Sequence, residues 1–306
     1  MLHLVTYLLS FAAIWFGAGL IISSIEKISR HLHTSSFVLS FFLLGILTSI
    51  PEITVGINAI IRNDPEIFVG NLIGGILVIF LLIIPLLAIF GNGINLAHKL
   101  DTKKMLLSLV IIAAPSFLIS DRIVTVYEGI LMFLLYGILF YFIEKKKGVL
   151  ENVESKISHF QPNDFVKTLI GIVIVFLSGT IIVEQTIYFA NILRVSSFLI
   201  SLTVLSIGTN LPELSIAVRS IYSGKKDIAF GDYMGSAAAN TLLFGVFTII
   251  NKQDVIIPNH FFRRFIFIIL GLVLFYIFSR TKNTISRREG VFLFLVYILF
   301  LFDEVI

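Results

Sequence analysis

Apolar residues along the chain fall into long, nearly continuous blocks that are separated by short polar connections. The blocks are about 20 residues long, which is enough for a helix to cross a hydrocarbon layer roughly 30 Å thick. Continuous apolar runs favour helices over a transmembrane barrel, whose strands alternate apolar and polar positions. Ten spans are predicted: 4–24, 36–61, 67–90, 105–120, 123–143, 168–190, 196–221, 228–250, 261–279 and 289–302.

The composition indicates that a lipid bilayer is the solvent of this chain. Of the 306 residues, 57% are hydrophobic and 14% are charged, and the mean hydropathy is +1.00; soluble domains average about 25% charged residues. We therefore expect an all-α integral membrane protein. The net charge of +4 does not indicate nucleic acid as a partner, because the basic residues lie in short connections. The chain has no cysteine, which excludes disulfides and thiolate metal sites.

Lysine and arginine are distributed unequally between the two sets of alternating connections. One set holds 16 of these residues and the other holds 6, and basic loops tend to stay in the cytoplasm. The bias predicts a protein of the plasma (inner) membrane with both termini outside and a cytoplasmic linker at 144–167. The linker would join two halves of five spans each, 1–143 and 168–306. Because each half has an odd number of spans, the second half enters the membrane from the opposite side.

The two halves share an internal sequence repeat. Residues 35–40 read Ser-Ser-Phe-Val-Leu-Ser, and residues 196–201 read Ser-Ser-Phe-Leu-Ile-Ser. An alignment without gaps over about 40 residues indicates a true repeat. We call this alignment the repeat register. It relates Thr48 to Thr209, Pro51-Glu52 to Pro212-Glu213, Gly70 to Gly231, Asn71 to Asp232 and Gly74 to Gly235.

Each repeat contains a proline followed by a glutamate in the middle of a predicted span. Proline removes a backbone donor and clashes with the preceding turn, so Pro51 and Pro212 predict breaks that free carbonyl oxygens such as those of Thr48 and Thr209. Exposed carbonyls at this depth are tolerated only where they line a cavity or bind a ligand. An ionisable side chain at the bilayer centre costs at least about 2.5–3.5 kcal/mol. A glutamate directly after each break therefore indicates a functional site.

Inverted symmetry would bring Glu52 and Glu213 to one central point. Two carboxylates with neighbouring hydroxyls and carbonyls form an anionic site whose ligands are all oxygen. Hard cations such as Ca²⁺ take about six to eight oxygen ligands. Two negative charges match one divalent ion, two or more Na⁺ ions, or protons. The residues therefore predict cation binding and leave the identity of the ion open.

At these residues the chain resembles the calcium/cation antiporter superfamily, nearest to its sodium/calcium exchanger branch. The family's alpha repeats carry Gly-Thr-Ser/Asn-x-Pro-Glu followed by Gly-Asn-x-x-Gly-Ser-x-x-x-Asn/Asp. Residues 208–213 and 231–240 follow both elements, with Asp232 in place of the first asparagine. Residues 48–52 and 70–74 follow most of the two elements in the first repeat.

The resemblance implies ten helices and a secondary active cation antiporter, not an enzyme, that exchanges Ca²⁺ or a similar divalent cation for Na⁺ or H⁺ by alternating access. It implies no resident cofactor, and inorganic cations and the lipid bilayer as partners. It also implies alpha repeats at about 35–80 and 196–241, central Ca²⁺ coordination by the two glutamates and the two threonine carbonyls, and surrounding Na⁺ sites. The residues expected at cations are Glu52, Glu213, Thr48, Thr209, Ser49, Asn210, Ser236, Asn240, Asn71 and Asp232.

The first repeat departs from the family's pattern at three positions. Leu47 stands where the family has glycine, Gly75 where it has serine, and Ile79 where it has asparagine or aspartate. Ser236 and Asn240 keep the pattern in the second repeat. The two-glutamate centre is thus present while two flanking side-chain ligands are missing. We expect divalent binding to persist and Na⁺ coupling to be weakened.

Other interpretations stay open at this stage. The two glutamates could form a structural hydrogen-bonded pair, and Asp232 could begin a helix near the cytoplasmic side as readily as contact an ion. Glu128, Glu184 and Glu289 are interpreted as structural. The alternative functions are a proton-coupled or altered exchanger of the same superfamily, a non-transporting ion-binding membrane protein of the same fold, and an uncoupled channel. ATP-driven pumping has no support, because the sequence has no Walker element.

Overall fold

The computed structural model describes residues 2–29, 41, 45–95, 102–144, 162–214, 226–257, 261–280 and 284–305. In chain order these residues form ten helical elements: α1 (Leu2–Ser29), α2 (Gly45–Thr48 and Ile50–Ile61), α3 (Glu66–Phe90), α4 (Thr102–Leu118), α5 (Val126–Glu144), α6 (Pro162–Leu193), α7 (Ser197–Leu214), α8 (Lys226–Asn251), α9 (Phe261–Arg280) and α10 (Arg287–Val305). They also form four short strands: β1 (Ile94–Asn95), β2 (Ile123–Val124), β3 (Val255–Ile256) and β4 (Thr284–Ile285).

Helix is present in every one of the ten predicted spans. Within the described ranges, six helices are long and apolar enough to cross a membrane: Glu66–Phe90, Lys103–Asp121, Val126–Ile143, Leu169–Leu193, Ser197–Leu214 and Gly231–Asn251. Two shorter apolar helices are Leu2–Gly17 and Ile50–Ile61. The predicted all-α membrane fold is therefore confirmed. Three features of the sequence lie outside the described residues: segment 35–40, residues 145–161 of the predicted linker, and the side chain of Leu47.

Two of the differences between the observed and the predicted helix starts have a visible cause. α5 begins at Val126, after strand β2, because a capping box fixes its start. The Glu128 carboxylate accepts hydrogen bonds from the amide of Thr125 at 2.7 Å and from its hydroxyl at 2.9 Å. α6 begins at Pro162, inside the range predicted as linker. Proline suits the first turn of a helix, where its missing N–H has no partner to lose.

The repeat register holds in the structure outside the repeated motifs. It relates Val126 to Arg287, and these residues begin α5 and α10. The capping box of α5 also recurs before α10, where the Glu289 carboxylate accepts from the amide and the hydroxyl of Ser286, both at 2.7 Å. Glu289 therefore stabilises the start of α10 as Glu128 stabilises the start of α5.

Two short antiparallel ribbons join distant parts of the chain, since β1 pairs with β4 and β2 pairs with β3. Ile94 lies opposite Ile285 in one ribbon, and Val255 lies opposite Val124 in the other. The repeat register relates Ile94 to Val255 and Val124 to Ile285. The contact between Ile94 and Ile285 therefore recurs between their equivalents, Val255 and Val124. A two-fold axis that exchanges the two halves produces this relation.

α3 and α8 form the buried centre of the fold. The buried share of the apolar window is 83% in α3 and 78% in α8, but 28% in α5, which places α5 at the periphery. Glycines allow close approach at the centre. A Cβ on Gly74 would overlap the Leu202 carbonyl oxygen of α7, and a Cβ on Gly235 would overlap the Phe41 carbonyl oxygen. These two contacts obey the same two-fold relation, so α3 and α8 pack in equivalent ways.

Candidate cation site

The two helices that carry the Pro-Glu pairs are interrupted at equivalent residues. Ser49 in α2 has φ −76° and ψ 9°, and Asn210 in α7 has φ −88° and ψ 11°, whereas ψ in an α-helix is near about −42°. Regular winding resumes after each turn: the amide of Ile53 donates to the Ser49 carbonyl at 2.9 Å, and that of Leu214 donates to the Asn210 carbonyl at 3.2 Å. The breaks predicted from the prolines are therefore present in both halves.

Two backbone carbonyls accept side-chain hydrogen bonds at these breaks. The Gly45 carbonyl accepts from the hydroxyl of Ser49 at 2.7 Å. The Ser206 carbonyl, at the equivalent position of the second half, accepts from the amide of Asn210 at 2.8 Å. The sequence pointed to the carbonyls of Thr48 and Thr209. It did not point to those of Gly45 and Ser206. The repeat could have identified them, because Ser206 corresponds to Gly45 in the repeat register.

The carboxylates of Glu52 and Glu213 are buried, with relative exposures of 2% and 0%. Asn210 Nδ2 donates to Glu52 Oε1 at 3.3 Å. The Ser236 hydroxyl donates to Glu213 Oε1 at 2.6 Å. Each glutamate therefore accepts a side-chain hydrogen bond through Oε1, and the donor to Glu52 comes from the other half of the chain.

Hydroxyl groups gather beside Glu213. The Ser236 hydroxyl lies within hydrogen-bonding distance of the hydroxyls of Thr48, at 3.4 Å, and Ser49, at 3.5 Å. The Thr48 hydroxyl also donates to Asp232 Oδ1 at 3.5 Å. The break in α2 is thereby connected to the central helix α8.

The two-fold counterpart of the contact between Thr48 and Asp232 joins Thr209 to Asn71. The Thr209 hydroxyl donates to Asn71 Oδ1 at 3.0 Å, which connects the break in α7 to the central helix α3. Asp232 is fully buried and lies inside α8, more than a turn after its start at Lys226. The alternative that Asp232 begins a helix or is solvated is therefore wrong, because the residue packs against α2 in the interior.

We call the residues around Glu52, Glu213 and the two helix breaks the cluster. Four of its buried oxygen atoms have no hydrogen-bond partner among the residues that the structure describes: Glu52 Oε2, Glu213 Oε2, Asn210 Oδ1 and Asn240 Oδ1. An unpaired buried acceptor costs free energy unless a ligand satisfies it. Oxygen atoms of carboxylates and amides are the ligands that hard cations take. No three His, Asp or Glu side chains are grouped to hold a metal in the described part. A cation here would therefore combine the two carboxylates with amide, hydroxyl and carbonyl oxygens.

Two of the departures in the first repeat lie on the buried helix α3. A Cβ on Gly75 would be 2.7 Å from Asn240 Nδ2 and 3.2 Å from Asn210 Nδ2, so the missing side chain leaves room for two amide groups. Ile79 is fully buried in a π-helical stretch of α3. Its counterpart, Asn240, lies in the regular helix α8.

All ten residues that the sequence singled out as cation ligands are buried, with relative exposures of 2% or less. They lie on α2, α3, α7 and α8. Asn240, the remaining member, donates from Nδ2 to the Leu72 carbonyl at 3.3 Å. The structure thus brings the ten residues into one buried region at the two helix breaks.

Other acidic residues lie away from this region. Glu184 forms an ion pair with Arg62 in which both side chains are more than 40% exposed, so its contribution to stability is at most about 1 kcal/mol. Asp64, between α2 and α3, accepts a hydrogen bond from the Ser197 hydroxyl at 2.6 Å. Burial raises the pKa of Asp64, and the hydrogen bond from Ser197 opposes that shift.

Comparison with known proteins gives a consistent result. Residues 2–144 and 164–302 match the family described as sodium/calcium exchanger protein. Sodium/calcium exchanger MaX1 of Methanosarcina acetivorans is 27% identical, with 93% of each chain covered. Inner membrane protein YrbG of Escherichia coli (strain K12) is 24% identical, with 74% of this chain and 73% of its own covered. A solved structure of the sodium-calcium exchanger NCX_Mj, soaked with Na⁺ and Sr²⁺, has a TM-score of 0.70 at 24% identity and 97% coverage of both chains, which shows a shared fold.

Proposed function

The chain belongs to the sodium/calcium exchanger protein family, and we propose that it exports Ca²⁺, or a similar divalent cation, in exchange for Na⁺ or H⁺. The family is one of cation antiporters in membranes and not one of enzymes. In our proposal the exchange proceeds by alternating access around a single site centred on Glu52 and Glu213.

The proposal rests on the buried oxygen atoms without donors around the two glutamates. Two carboxylates in a membrane interior are costly unless cations or protons neutralise them. Ca²⁺ would balance both charges and take oxygens from Glu52, Glu213, Asn210 and Asn240, with hydroxyls and carbonyls completing its shell. Na⁺ or H⁺ would neutralise the same carboxylates one charge at a time. Because one pair of carboxylates serves both kinds of ion, binding of one excludes the other, which produces exchange rather than co-transport.

Alternating access in this proposal uses two inverted five-helix halves, residues 1–143 and 168–306, joined by a cytoplasmic linker at 144–167. The two-fold relation between the β1–β4 and β2–β3 ribbons supports this division. In an inverted repeat, each contact on one side of the membrane has an equivalent contact on the other side. One of the two contacts can break while the other forms. The central site would then face the two sides in turn while its ligands stay on the same helices.

We place the protein in the plasma (inner) membrane with both termini outside. The unequal distribution of lysine and arginine between the two sets of connections supports this orientation. The relative from Escherichia coli is itself named an inner membrane protein.

A proton-coupled or otherwise altered exchanger is the second candidate, and Ile79 is the residue that favours it. Ile79 is fully buried in α3, and its counterpart in the other half is Asn240. A Na⁺ ion beside an isoleucine would lose a ligand, whereas a proton needs only a carboxylate. The divalent site itself would be retained in this candidate, because both glutamates remain.

The test is uptake of radioactive Ca²⁺ into proteoliposomes that contain the purified chain, with Na⁺ and H⁺ gradients imposed separately. Uptake should require a counter-ion gradient, and the gradient that drives it identifies the coupling ion. Vesicles without protein provide the control. Uptake that is independent of both gradients would indicate a channel, and Ca²⁺ binding without any uptake would indicate a non-transporting protein. Either result contradicts the proposal.

A further inference from the structure

Glu52 and Glu213 occupy equivalent positions in the two halves, yet the side chains that donate to their Oε1 atoms differ in kind. The Ser236 hydroxyl donates to Glu213 Oε1 at 2.6 Å. The counterpart of Ser236 in the repeat register is Gly75, which has no side chain to offer Glu52. Glu52 Oε1 instead accepts from Asn210 Nδ2 at 3.3 Å. The donor is therefore supplied from the other half of the chain.

The Asn210 amide lies where a side chain at position 75 would extend. A Cβ on Gly75 would be 3.2 Å from Asn210 Nδ2. The orientation of the amide follows from its second contact, in which Nδ2 donates to the Ser206 carbonyl at 2.8 Å. Between a carbonyl and a carboxylate, only the NH₂ group can satisfy both acceptors.

We propose that Asn210 takes the place of the serine that the first half lacks, and that Gly75 is required because it leaves room for the Asn210 amide. Asn210 is then a positioning residue for Glu52 and determines which side of the site accepts a monovalent cation. A serine hydroxyl can either donate to a carboxylate or turn its lone pairs to a cation, whereas an NH₂ group can only donate. Na⁺ therefore binds more tightly beside Glu213, where three hydroxyls gather, than beside Glu52, where Asn210 turns its NH₂ group to the carboxylate.

The ion-binding part of this inference rests on the proposed function, while the exchange of donors rests on packing alone. A double-mutant cycle tests the packing. Gly75→Ser, Asn210→Ser and the double variant are compared with the wild type by the unfolding temperature of the full chain in detergent with a chelator. Gly75→Ser should lower that temperature, because the new Cβ would lie 2.7 Å from Asn240 Nδ2 and 3.2 Å from Asn210 Nδ2. Asn210→Ser should also lower it, because the shorter side chain no longer reaches Glu52.

The double variant should unfold at a higher temperature than either single variant. The smaller residue at 210 leaves space into which the Asn240 amide can move, and the new hydroxyl at 75 can donate to Glu52 as Ser236 donates to Glu213. Gly137→Ser is the matched control, since a Cβ on Gly137 would have no atom within 4 Å. It should leave the unfolding temperature unchanged.

A second readout separates positioning from packing. The rise in unfolding temperature with Na⁺ is measured at constant ionic strength, with N-methylglucamine as the replacing cation. The double variant would have a serine hydroxyl beside each glutamate, so its apparent affinity for Na⁺ should increase by at least about five-fold. The control Gly137→Ser should respond to Na⁺ as the wild type does.

Two outcomes would overturn the inference, and a third bears on the proposed function alone. Losses that simply add in the double variant would overturn the exchange of donors between Gly75 and Asn210. Recovery of stability with an unchanged response to Na⁺ would overturn the ion-binding part. A wild-type chain without gradient-dependent Ca²⁺ uptake would contradict the proposed function, and the unfolding-temperature cycle would still decide the exchange of donors.

Discussion

Thr48 donates its hydroxyl to Asp232 Oδ1 at 3.5 Å, which links the break in α2 to the buried helix α8. The two-fold counterpart of this contact links Thr209 to Asn71 at 3.0 Å. The two contacts join equivalent residues, but one acceptor carries a carboxylate and the other a neutral amide. The region around the two glutamates is therefore asymmetric, with an additional ionisable carboxylate on the side where the hydroxyls lie.

The charge of the residue that accepts the threonine hydrogen bond, Asp232 or Asn71, should influence the affinity for Ca²⁺. Asp232→Asn should weaken Ca²⁺ binding and Asn71→Asp should strengthen it, because each change alters the charge and keeps an acceptor for its threonine. One charge at several ångströms contributes about 1–2 kcal/mol in partly polar surroundings, which is roughly five- to thirty-fold in affinity. Calorimetric titration of the purified variants with Ca²⁺ measures both effects. Affinities equal to that of the wild type in both variants would show that the acceptor's charge does not act on the site.

The two glutamates should both be essential for transport. Glu52→Gln or Glu213→Gln removes one of the two charges that balance a divalent ion and keeps the shape of the side chain. We expect Ca²⁺ flux in proteoliposomes to fall to background, while the unfolding temperature in detergent stays near that of the wild type. Glu184→Gln is the matched control, because Glu184 belongs to an exposed ion pair and the change should leave flux intact. Near-normal flux in both central variants would refute the assignment of the site.

The membrane fold and the members of the buried cluster could be predicted because both depend on regular patterns. Apolar blocks of span length identify the helices, and the repeat register places the two Pro-Glu pairs in equivalent positions. Hydrogen-bond partners were not accessible in the same way. Gly75 looks like a lost ligand in the sequence, yet the Asn210 amide lies beside it, because residues from the two halves meet there.

The position of Asp232 shows the same limit. Hydropathy places this residue near the start of the eighth span, where an acidic residue suits the end of a helix. Its complete burial results from packing of α8 against α2, and contacts between helices leave no signal in a hydropathy pattern. The hydrogen bonds that the Gly45 and Ser206 carbonyls accept could not be predicted for a related reason, since they depend on the local geometry at the helix breaks.

Arg264 and Glu304 should be important for stability. The guanidinium of Arg264 on α9 contacts the Glu304 carboxylate of α10 through two hydrogen bonds, at 2.6 and 2.8 Å, and it lies 5.4 Å from the centre of the Phe198 ring of α7. The two charged side chains are 10% and 5% exposed. Removing one partner leaves a buried charge, so Arg264→Ala should reduce the free energy of unfolding by about 3–5 kcal/mol.

The neighbouring pair provides a control for this prediction. Arg263 and Asp303 are 3.6 Å apart and 70% and 31% exposed, so Arg263→Ala should cost no more than about 1 kcal/mol. The double change Arg264→Leu with Glu304→Leu should restore much of the loss from Arg264→Ala, because no unpaired charge remains. Unfolding temperatures in detergent rank the variants. Equal losses in the Arg263 and Arg264 variants would contradict the importance of the buried pair.

The predicted orientation can be tested with single cysteines, because the chain contains none. Gln253→Cys, in the connection between α8 and α9, should react with an impermeant maleimide that is added to intact cells. Lys146→Cys, in the predicted cytoplasmic linker, should react only after the cells are permeabilised. Labelling of Lys146→Cys from outside intact cells would overturn the predicted topology.

Ile79 should limit the dependence of Ca²⁺ flux on Na⁺. Ile79 is fully buried in the π-helical stretch of α3, and the repeat register assigns asparagine to the equivalent position of the second half. Restoring the family's pattern in the first half would require serine at 75 and asparagine at 79. The serine would disturb its neighbours, because a side chain on Gly75 would meet the amides of Asn240 and Asn210. Ile79→Asn is therefore the change to make on its own.

Ile79→Asn adds an amide oxygen where the wild type has an apolar wall. A coordinating group at a buried charge is worth about 1–3 kcal/mol, or roughly 5- to 150-fold in affinity, so the dependence of Ca²⁺ flux on Na⁺ should become steeper. The control Ile79→Leu keeps the wall apolar and should leave the Na⁺ dependence unchanged, which separates coordination from repacking. Both are measured in proteoliposomes at fixed pH and then across a pH series. If wild-type flux already rises steeply and cooperatively with Na⁺ and ignores pH, the Na⁺ ligands must come from residues other than those named here.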